Sequence, residues 1–238
     1  MNIPVNELII KDIIGFSNDM CILEAEKKNY KNDRFFILIK NLNMKFSELL
    51  HSEEFAVGDF LKEDLIEVVS NMIVHQIDKD TEADHFIYSD YSGITGNMCD
   101  DYYEVRNLFT EKKYRGQNLT KEFVMSVLSN IYEDERSMLH ETCIFVQAGI
   151  SVEEYPDDPT EDDEKSSKII DGVISFYEKC GFVDVNEISG FEYSCNMYFA
   201  PDIASAKIIN FYKDALKAKH DAYINLLDEY KRLESVNK

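Results

Sequence analysis

The sequence lacks the features that mark membrane proteins and nucleic-acid-binding proteins. No stretch approaches the ~18 consecutive apolar residues of a membrane-spanning helix. The start, MNIPVNEL, lacks the basic and then apolar pattern of a secretion signal. Lysine and arginine number only 25 against 46 aspartates and glutamates. Direct nucleic-acid binding is disfavoured, because phosphate neutralisation needs clustered basic residues. We therefore expect a cytoplasmic protein with no membrane segment.

Cysteine and histidine are too sparse and too scattered for a disulfide framework or a metal site. The five cysteines are odd in number and form no Cys-x-x-Cys pair. The five histidines include no pair four residues apart on a helix. The sequence therefore predicts no metal, no disulfide framework and a reducing compartment.

The composition present is that of a globular protein with an acidic surface. Apolar residues make up 45% and charged residues 30% of 238 positions, which suffices for one domain and an appendage. The net charge of −21 favours a basic partner, but acidity that serves only solubility explains it equally well. We divide the chain into a segment of unclear structure (1–34), a main domain (35–200) and a C-terminal helix (201–238).

Hydrophobic periodicity predicts an alternation of strands and helices in the main domain. Residues 8–14 fit a strand or a helix, and the periodicity does not choose between them. We predict strands at 35–39, 86–91, 142–149, 182–185 and 191–199, and helices at 59–77 and 169–180. Gly181 is then suited to a left-handed helix cap.

Two segments stand apart from this pattern. Eight acidic residues occupy twelve positions between Glu153 and Glu164, so this stretch is either a solvated insertion or an acidic lip for a cationic ligand. After Pro201, apolar residues recur three and four apart, which predicts a helix of about 33 residues, or about 50 Å. Residues 202–235 would pack on their own domain or form a homodimer; the sequence favours neither.

The stretch from Tyr103 to Tyr132 predicts a strand, a polar turn and an amphipathic helix. Leu119, Phe123, Val127 and Ile131 share one helical face. A strand that enters a helix through a short turn leaves the first helical N–H groups unpaired. Such a turn is a binding site for phosphate or pyrophosphate.

Two motifs in this order resemble the GNAT superfamily of acetyl-CoA-dependent N-acetyltransferases. Residues 115–120, Arg-Gly-Gln-Asn-Leu-Thr, resemble its motif A, although Asn118 and Thr120 replace a glycine and a glycine or alanine. Residues 176–182, Phe-Tyr-Glu-Lys-Cys-Gly-Phe, resemble its motif B. The resemblance implies an α/β (α+β) fold with a mixed, mostly antiparallel sheet flanked by helices, here followed by the long C-terminal helix.

The resemblance also implies a site and a reaction. Acetyl-CoA would be held by the turn formed by Arg115, Gly116, Gln117, Asn118, Leu119 and Thr120. Its pantetheine arm would lie along Leu108, Phe109 and Thr110, between neighbouring parallel strands, 102–110 and 142–149, that diverge at one end. Glu104 would be the general base, and Tyr177 would contact the cofactor and act as general acid. The acceptor would be a primary amine, of a small molecule or a protein. The alternative is a GNAT-like acidic module that binds or inhibits a partner and has lost catalysis.

Overall fold

One eight-stranded sheet forms the centre of the protein. The computed structural model describes residues 5–17, 19–43, 56–95, 101–136, 142–149, 163–184 and 196–199. The strands are β1 (Ile9–Ser17), β2 (Met20–Glu26), β3 (Asp33–Asn41), β4 (Ile66–Gln76), β5 (Asp101–Thr110), β6 (Thr142–Gln147), β7 (Val183–Asp184) and β8 (Asn196–Phe199). The helices are α1 (Val57–Lys62), α2 (His85–Thr95), α3 (Leu119–Arg136) and α4 (Asp163–Lys179), with 3-10 turns at Val5–Glu7 and Lys112–Tyr114.

The sheet is mixed and mostly antiparallel, which confirms the predicted fold class. Its order is β1-β2-β3-β4-β5-β6-β8-β7. Only β5 and β6 are parallel among the described neighbours, and α3 connects them. The segment 1–34, whose structure the sequence left open, supplies β1 and β2. The predicted C-terminal helix at 201–238 and most of the acidic stretch lie outside the described residues.

Helices cover both faces of the sheet. On one face, here called the α3 face, Phe123 and Leu128 of α3 and Tyr177 of α4 join the largest hydrophobic cluster. On the opposite face, here called the α2 face, α1 packs on the N-terminal strands. There Tyr91 of α2 stacks on Phe145 of β6 with ring centroids 3.8 Å apart. The strands in the middle of the sheet are therefore buried on both sides.

This double burial explains why the predicted helix at 59–77 is wrong. The structure has the short helix α1 and then β4, an eleven-residue strand. A strand that is buried on both faces carries apolar residues at almost every position, so some fall three and four apart by chance. Its β-branched residues, among them Val68, Val69 and Ile73, were the better signal.

The predicted strand at 86–91 is also wrong, because these residues belong to α2. The helix is capped from outside the predicted segment: the Thr81 hydroxyl accepts a hydrogen bond from the Asp84 N–H at 3.2 Å. His85 N–H donates to the Thr81 carbonyl at 3.0 Å. The pattern Thr-x-x-Asp is a helix-start signal. The aromatic residues that follow this signal favour a strand by composition, but the capped start makes them helical.

The predicted strands at 35–39, 142–149 and 182–185 and the predicted helix at 169–180 correspond to β3, β6, β7 and α4, and β8 is the described part of the predicted strand at 191–199. Cys21 and Cys180 are free and buried. Cys143 in β6 is disulfide-bonded, to a partner outside the described residues; the sequence predicted no disulfide framework, and this is a single bond. No helix in the described part of the chain is long and apolar enough to cross a membrane.

A buried ion pair connects the N-terminal strands to α3. Arg34 of β3 donates to both carboxylate oxygens of Glu24 in β2, each at 3.0 Å. The same guanidinium donates to the Asn130 side-chain oxygen at 3.0 Å. Because Glu24 and Asn130 are buried, loss of this contact would leave buried polar atoms short of a partner. The first strands are thereby fixed to the helix that follows β5.

Candidate active site

The parallel strands β5 and β6 are paired over only half the length of β5. Their register runs from Asp101↔Thr142 to Val105↔Val146. Beyond this point β5 continues to Thr110 with β4 alone as its described neighbour, up to the pair Ser70↔Thr110. Residues 106–110 therefore have no described strand partner on the side where β6 has ended, and this unpaired side of β5 is here called the opening.

A bulge lies at the point where the two strands part. Val74 pairs with Val105 and Ile73 with Asn107, so Arg106 is the extra residue in β5. A bulge bends its strand and increases the local twist. The bend separates the second half of β5 from the line of β6.

The backbone of β5 turns alternate residues toward the opening. The Phe109 carbonyl accepts a hydrogen bond from the Ser70 hydroxyl of β4 at 2.6 Å. The Glu111 N–H donates to the Val69 carbonyl of β4 at 3.0 Å. Because successive residues point their backbone groups to opposite sides of a strand, Leu108 and Thr110 point theirs to the opening. Among the predicted contacts Leu108, Phe109 and Thr110, the Phe109 carbonyl is therefore bound by β4 and faces away from the opening.

The turn at 115–118 has the left-handed backbone that the motif requires. Gly116 has φ +77° and Asn118 has φ +65°. Asparagine is one of the few residues other than glycine that tolerate this region. The Asn118 side-chain amide donates to Glu122 at 3.2 Å, and Gln117 donates to the Lys113 carbonyl at 2.9 Å. Helix α3 begins at the next residue, Leu119.

The turn is locally basic in an acidic protein. Four basic residues, Lys112, Lys113, Arg115 and Lys121, stand against two acidic ones in the range 111–122, whereas the whole chain carries −21. The Arg115 guanidinium donates to the Thr110 carbonyl at 2.8 Å, which fastens the turn to the end of β5. Lys113 pairs with Glu67 of β4. The N-terminus of α3 adds the positive end of the helix dipole.

Thr120, which stands where the resembled motif has glycine or alanine, takes part in a chain of three hydroxyl groups. Its hydroxyl lies 2.9 Å from that of Thr110, which lies 2.9 Å from that of Ser70. Ser70 donates to the Phe109 carbonyl, and each hydroxyl has a single proton. Thr110 therefore donates to Ser70, and Thr120 donates to Thr110. The departure from glycine or alanine at this position connects α3 to β5.

Tyr177 lies on the α3 face, buried in the same cluster as Val105 and Val146. Its ring makes edge contacts with Phe176 and Phe182, at 5.3 and 5.4 Å between centroids. Burial raises the pKa of the Tyr177 phenol above its usual value, and the nearby Cys180 raises it further. The hydroxyl therefore keeps its proton at neutral pH. Gly181, with φ +95°, follows the end of α4 as expected.

Glu104 lies on the opposite, α2 face. One carboxylate oxygen accepts a hydrogen bond from the Tyr91 hydroxyl of α2 at 3.1 Å. The other accepts from Arg106 Nε at 3.0 Å. Its backbone pairs with that of Phe145, at the closed end of the opening. The predicted residues thus form two groups: the turn, Thr110 and Tyr177 on the α3 face, and Glu104 on the α2 face.

Sequence reasoning missed the residues that surround Glu104. Arg106 also approaches Asp84, with Nη2 and Oδ1 3.5 Å apart. Asp84 in turn contacts His75 of β4, whose second ring nitrogen contacts Asp33 of β3. These partners come from separate strands and a helix start. Only the Thr-x-x-Asp pattern marked one of them, Asp84, in the sequence.

Comparisons with known proteins give weak structural likenesses and no sequence match. No family model and no curated protein matches the chain. Among solved structures, it is similar to a KacTA–DNA complex at TM-score 0.42 and 11% identity, covering 77% of this chain and 75% of that chain. It is similar to a mutant of KacT at 0.39 and 11%, covering 77% and 81%. For AtaTR bound with AcCoA the values are 0.40 and 12%, covering 76% and 73%. At these TM-scores the likenesses carry no conclusion about activity.

Proposed function

We propose that this protein is a GNAT-type acyltransferase that moves the acetyl group of acetyl-CoA to a primary amine. The observation that carries the proposal is the opening beside residues 106–110, which leads to a basic helix N-terminus. A pantetheine arm carries amide N–H and C=O groups along an extended chain. It can therefore occupy the place of a strand and pair with the backbone of Leu108 and the Thr110 N–H, since the Thr110 carbonyl already accepts from Arg115.

The turn at residues 115–120 would hold the pyrophosphate of the cofactor. Free N–H groups at the start of α3 point toward solvent, and the helix dipole favours an anion there. Gly116 is suited to this turn because its φ of +77° is a conformation that residues with a side chain rarely adopt. The excess of basic residues in 111–122 supplies complementary charge.

Glu104 and Tyr177 would divide the proton transfers between the two faces. The acceptor amine loses a proton to Glu104 as its nitrogen attacks the thioester carbonyl carbon. The carbon–sulfur bond then breaks, and the thiolate of CoA takes a proton from the Tyr177 phenol. Solvent later restores the proton to Tyr177 and removes the one on Glu104. Burial keeps the Tyr177 phenol protonated but also raises its pKa, so it gives up the proton less readily than a free phenol and the transfer requires direct contact with the thiolate.

One observation favours the alternative of a binding module without catalysis. Both oxygens of Glu104 already accept hydrogen bonds, from Tyr91 and Arg106. A carboxylate engaged in this way must release one contact, or act through its remaining lone pairs, to accept a proton from an amine. In the alternative, this network is a structural element, and the acidic surface binds a partner.

Thermal unfolding with and without acetyl-CoA tests the proposal. A ligand at about 100 times its Kd stabilises the fold by about 2.7 kcal/mol. ATP serves as the control, since it carries phosphates but no thioester arm. Stabilisation by acetyl-CoA alone supports the proposal. Equal stabilisation by both ligands indicates an unspecific anion site, and no stabilisation by either favours the binding module.

Tyr177→Phe separates catalysis from binding. We expect turnover to fall while stabilisation by acetyl-CoA is retained, because the ring still fills its buried position. Tyr30→Phe, at an exposed tyrosine, is the matched control. A parallel loss of turnover and acetyl-CoA binding would contradict the role of Tyr177 as acid.

A further inference from the structure

His75 lies between two carboxylates, and this geometry defines its protonation. Nδ1 is 2.5 Å from Asp33 Oδ1, and Nε2 is 2.9 Å from Asp84 Oδ2. A carboxylate can only accept hydrogen bonds. Both ring nitrogens must therefore donate, which requires the doubly protonated, positively charged imidazolium. The contacts are largely shielded from solvent, since the exposed fraction of the side chain is 10% for His75 and 6% for Asp84.

A series of hydrogen bonds and ion pairs connects His75 to Glu104 through two further residues. Asp84 uses Oδ2 for His75 and Oδ1 for Arg106 Nη2. Arg106 uses Nε for Glu104 Oε2. Arg106 is the bulge residue, so its backbone lies where β5 leaves β6. Each contact in this series constrains the direction of the next side chain.

We propose that protonated His75 is a positioning residue for Glu104, acting through Asp84 and Arg106. The inference rests on the proposed function only in that Glu104 is taken to be the general base. His75 lies directly opposite Glu104 in the β4–β5 register, but its two ring nitrogens make their hydrogen bonds to Asp33 and Asp84. Its effect is to hold Asp84 at the start of α2, where Asp84 directs the guanidinium of Arg106 toward Glu104.

The surrounding charges make this arrangement dependent on pH. The charged groups around His75 are Asp33 on β3, Asp84 and Asp78 before α2, and Arg106 and Glu104 on β5. Burial lowers the pKa of His75, but its hydrogen bonds to Asp33 and Asp84 outweigh burial, and the net result is a raised pKa. The imidazolium therefore persists above the ordinary pKa of about 6.5 and is lost as pH rises further.

The test follows the Arg106 Nε–H by NMR in the intact, ¹⁵N-labelled protein. Arg34 is an internal control, because its Nε–H donates to Glu24 at the same 3.0 Å distance. Hydroxide speeds exchange with solvent for both, so the ratio of the two rates is measured from about pH 6 to about pH 10. The ring nitrogens of His75 are followed in the same samples.

We expect the His75 nitrogens to report imidazolium at neutral pH. As they lose a proton, the exchange ratio of Arg106 to Arg34 should rise about tenfold, the loss of one hydrogen bond to a charged group. His75→Gln should show the raised ratio at every pH, and His85→Gln, at the exposed neighbouring histidine, should behave as wild type. A ratio that stays constant through the titration of His75, or a neutral His75 at neutral pH, would overturn the proposal.

Activity provides a second readout that separates this inference from the proposed function. If acetyl-CoA stabilises the protein, His75→Gln should lower kcat about tenfold and leave the KM for acetyl-CoA unchanged. If acetyl-CoA does not bind, the proposed function fails, while the NMR result still decides whether His75 controls Arg106. An unchanged kcat together with acetyl-CoA binding would show that His75 has only a structural role.

Discussion

The two faces of the sheet at the β4–β5 pair are held together by different chemistry. On the α3 face, three neutral hydroxyls, Ser70, Thr110 and Thr120, connect β4, β5 and α3. On the α2 face, ionised side chains from His75 to Glu104 connect β3, β4, α2 and β5. Hydroxyl groups do not titrate near neutral pH, whereas the His75–Asp84 pair is lost at both ends of the range, because, although burial acts in the opposite direction, hydrogen bonds raise the pKa of His75 and lower the pKa of Asp84. We therefore expect the hydroxyl chain of the α3 face to be insensitive to pH and the ionised network of the α2 face to be sensitive.

The contrast corresponds to the needs of the two substrates. A phosphate-bearing cofactor is anionic at all physiological pH values, so its site gains nothing from titration. An acceptor amine with a pKa near that of lysine, about 10.4, is mostly protonated at neutral pH and must lose a proton to react. A site with titratable groups can accept the proton that the amine loses. The following changes separate the faces, from the largest expected effect to the smallest.

Glu104→Gln should have the largest effect, on turnover alone. We expect turnover to fall by about 100-fold or more, because the amide cannot accept the proton of the amine. Stabilisation by acetyl-CoA should be unchanged, since the cofactor turn lies on the other face. Glu178→Gln, at an exposed position of α4, is the control and should alter neither. Wild-type turnover in Glu104→Gln would remove Glu104 from the reaction.

Asp84→Asn should destabilise the fold within a limited pH range. Burial raises the pKa of Asp84, but its hydrogen bonds to His75 and to the Asp78 N–H outweigh it and lower the pKa. The Asp84 contribution is therefore present above about pH 3.9 and is lost as pH falls through its lowered value. The His75 contribution is present below about pH 6.5 and is lost as pH rises through its raised value.

Urea unfolding of Asp84→Asn across pH checks this range. The loss should be about 1.5–3 kcal/mol near pH 5–6, the usual cost of a hydrogen bond to a charged group, and should shrink at both ends. Asp80→Asn, at an exposed aspartate of the same loop, should cost little at any pH. A loss that is equal at all pH values would contradict the coupling of Asp84 to His75.

Thr110→Val and Thr120→Val should show a smaller effect that does not change with pH. Each should cost about 1 kcal/mol, because the partner hydroxyl loses its hydrogen bond. The double variant should cost less than the sum, with an interaction energy of about 0.5–1.5 kcal/mol. Urea unfolding at acidic, neutral and alkaline pH measures all three. A pH-dependent interaction energy would break the contrast between the faces.

Asn118→Gly should have the smallest effect. Glycine adopts φ +65° without strain, while the exposed Asn118–Glu122 contact is lost, so stability should change by only about 0.5 kcal/mol. Stabilisation by acetyl-CoA should be retained, because the backbone of the turn is preserved. Asn107→Gly, in the strand, is the control and should cost more. Loss of acetyl-CoA binding in Asn118→Gly would show that the Asn118 side chain itself contributes.

The sequence was informative where the relevant partners are close along the chain. The strand, turn and helix at 101–136 follow from local periodicity and one glycine, and so does α4 with Gly181. The left-handed conformation of Asn118 also follows from the chemistry of its own side chain. By contrast, β4 is defined by neighbours on both sides and both faces, so local spacing suggested a helix.

The charged network around Glu104 could not be predicted from patterns of neighbouring residues in the sequence. His75 contacts Asp33, which is 42 positions away, and Asp84, which is 9 positions away. Only the register of three strands and the start of α2 bring these side chains together. Glu104 could be proposed from a motif, whereas Arg106 acquires its role from a bulge that no residue pattern announces.

The half-paired strand β5 would also limit the width of a ligand that binds beside it. Neighbouring strands lie about 4.7–4.9 Å apart, so a gap left by one missing strand admits an extended, unbranched chain and rejects a bulky ring system. An edge in the interior of a sheet is flanked by protein on both sides, unlike an outer rim, where another molecule can add a strand lengthwise. The width of a ligand would thus decide whether it binds before its chemical groups are recognised. Extended peptides would then compete with the cofactor for this position beside β5.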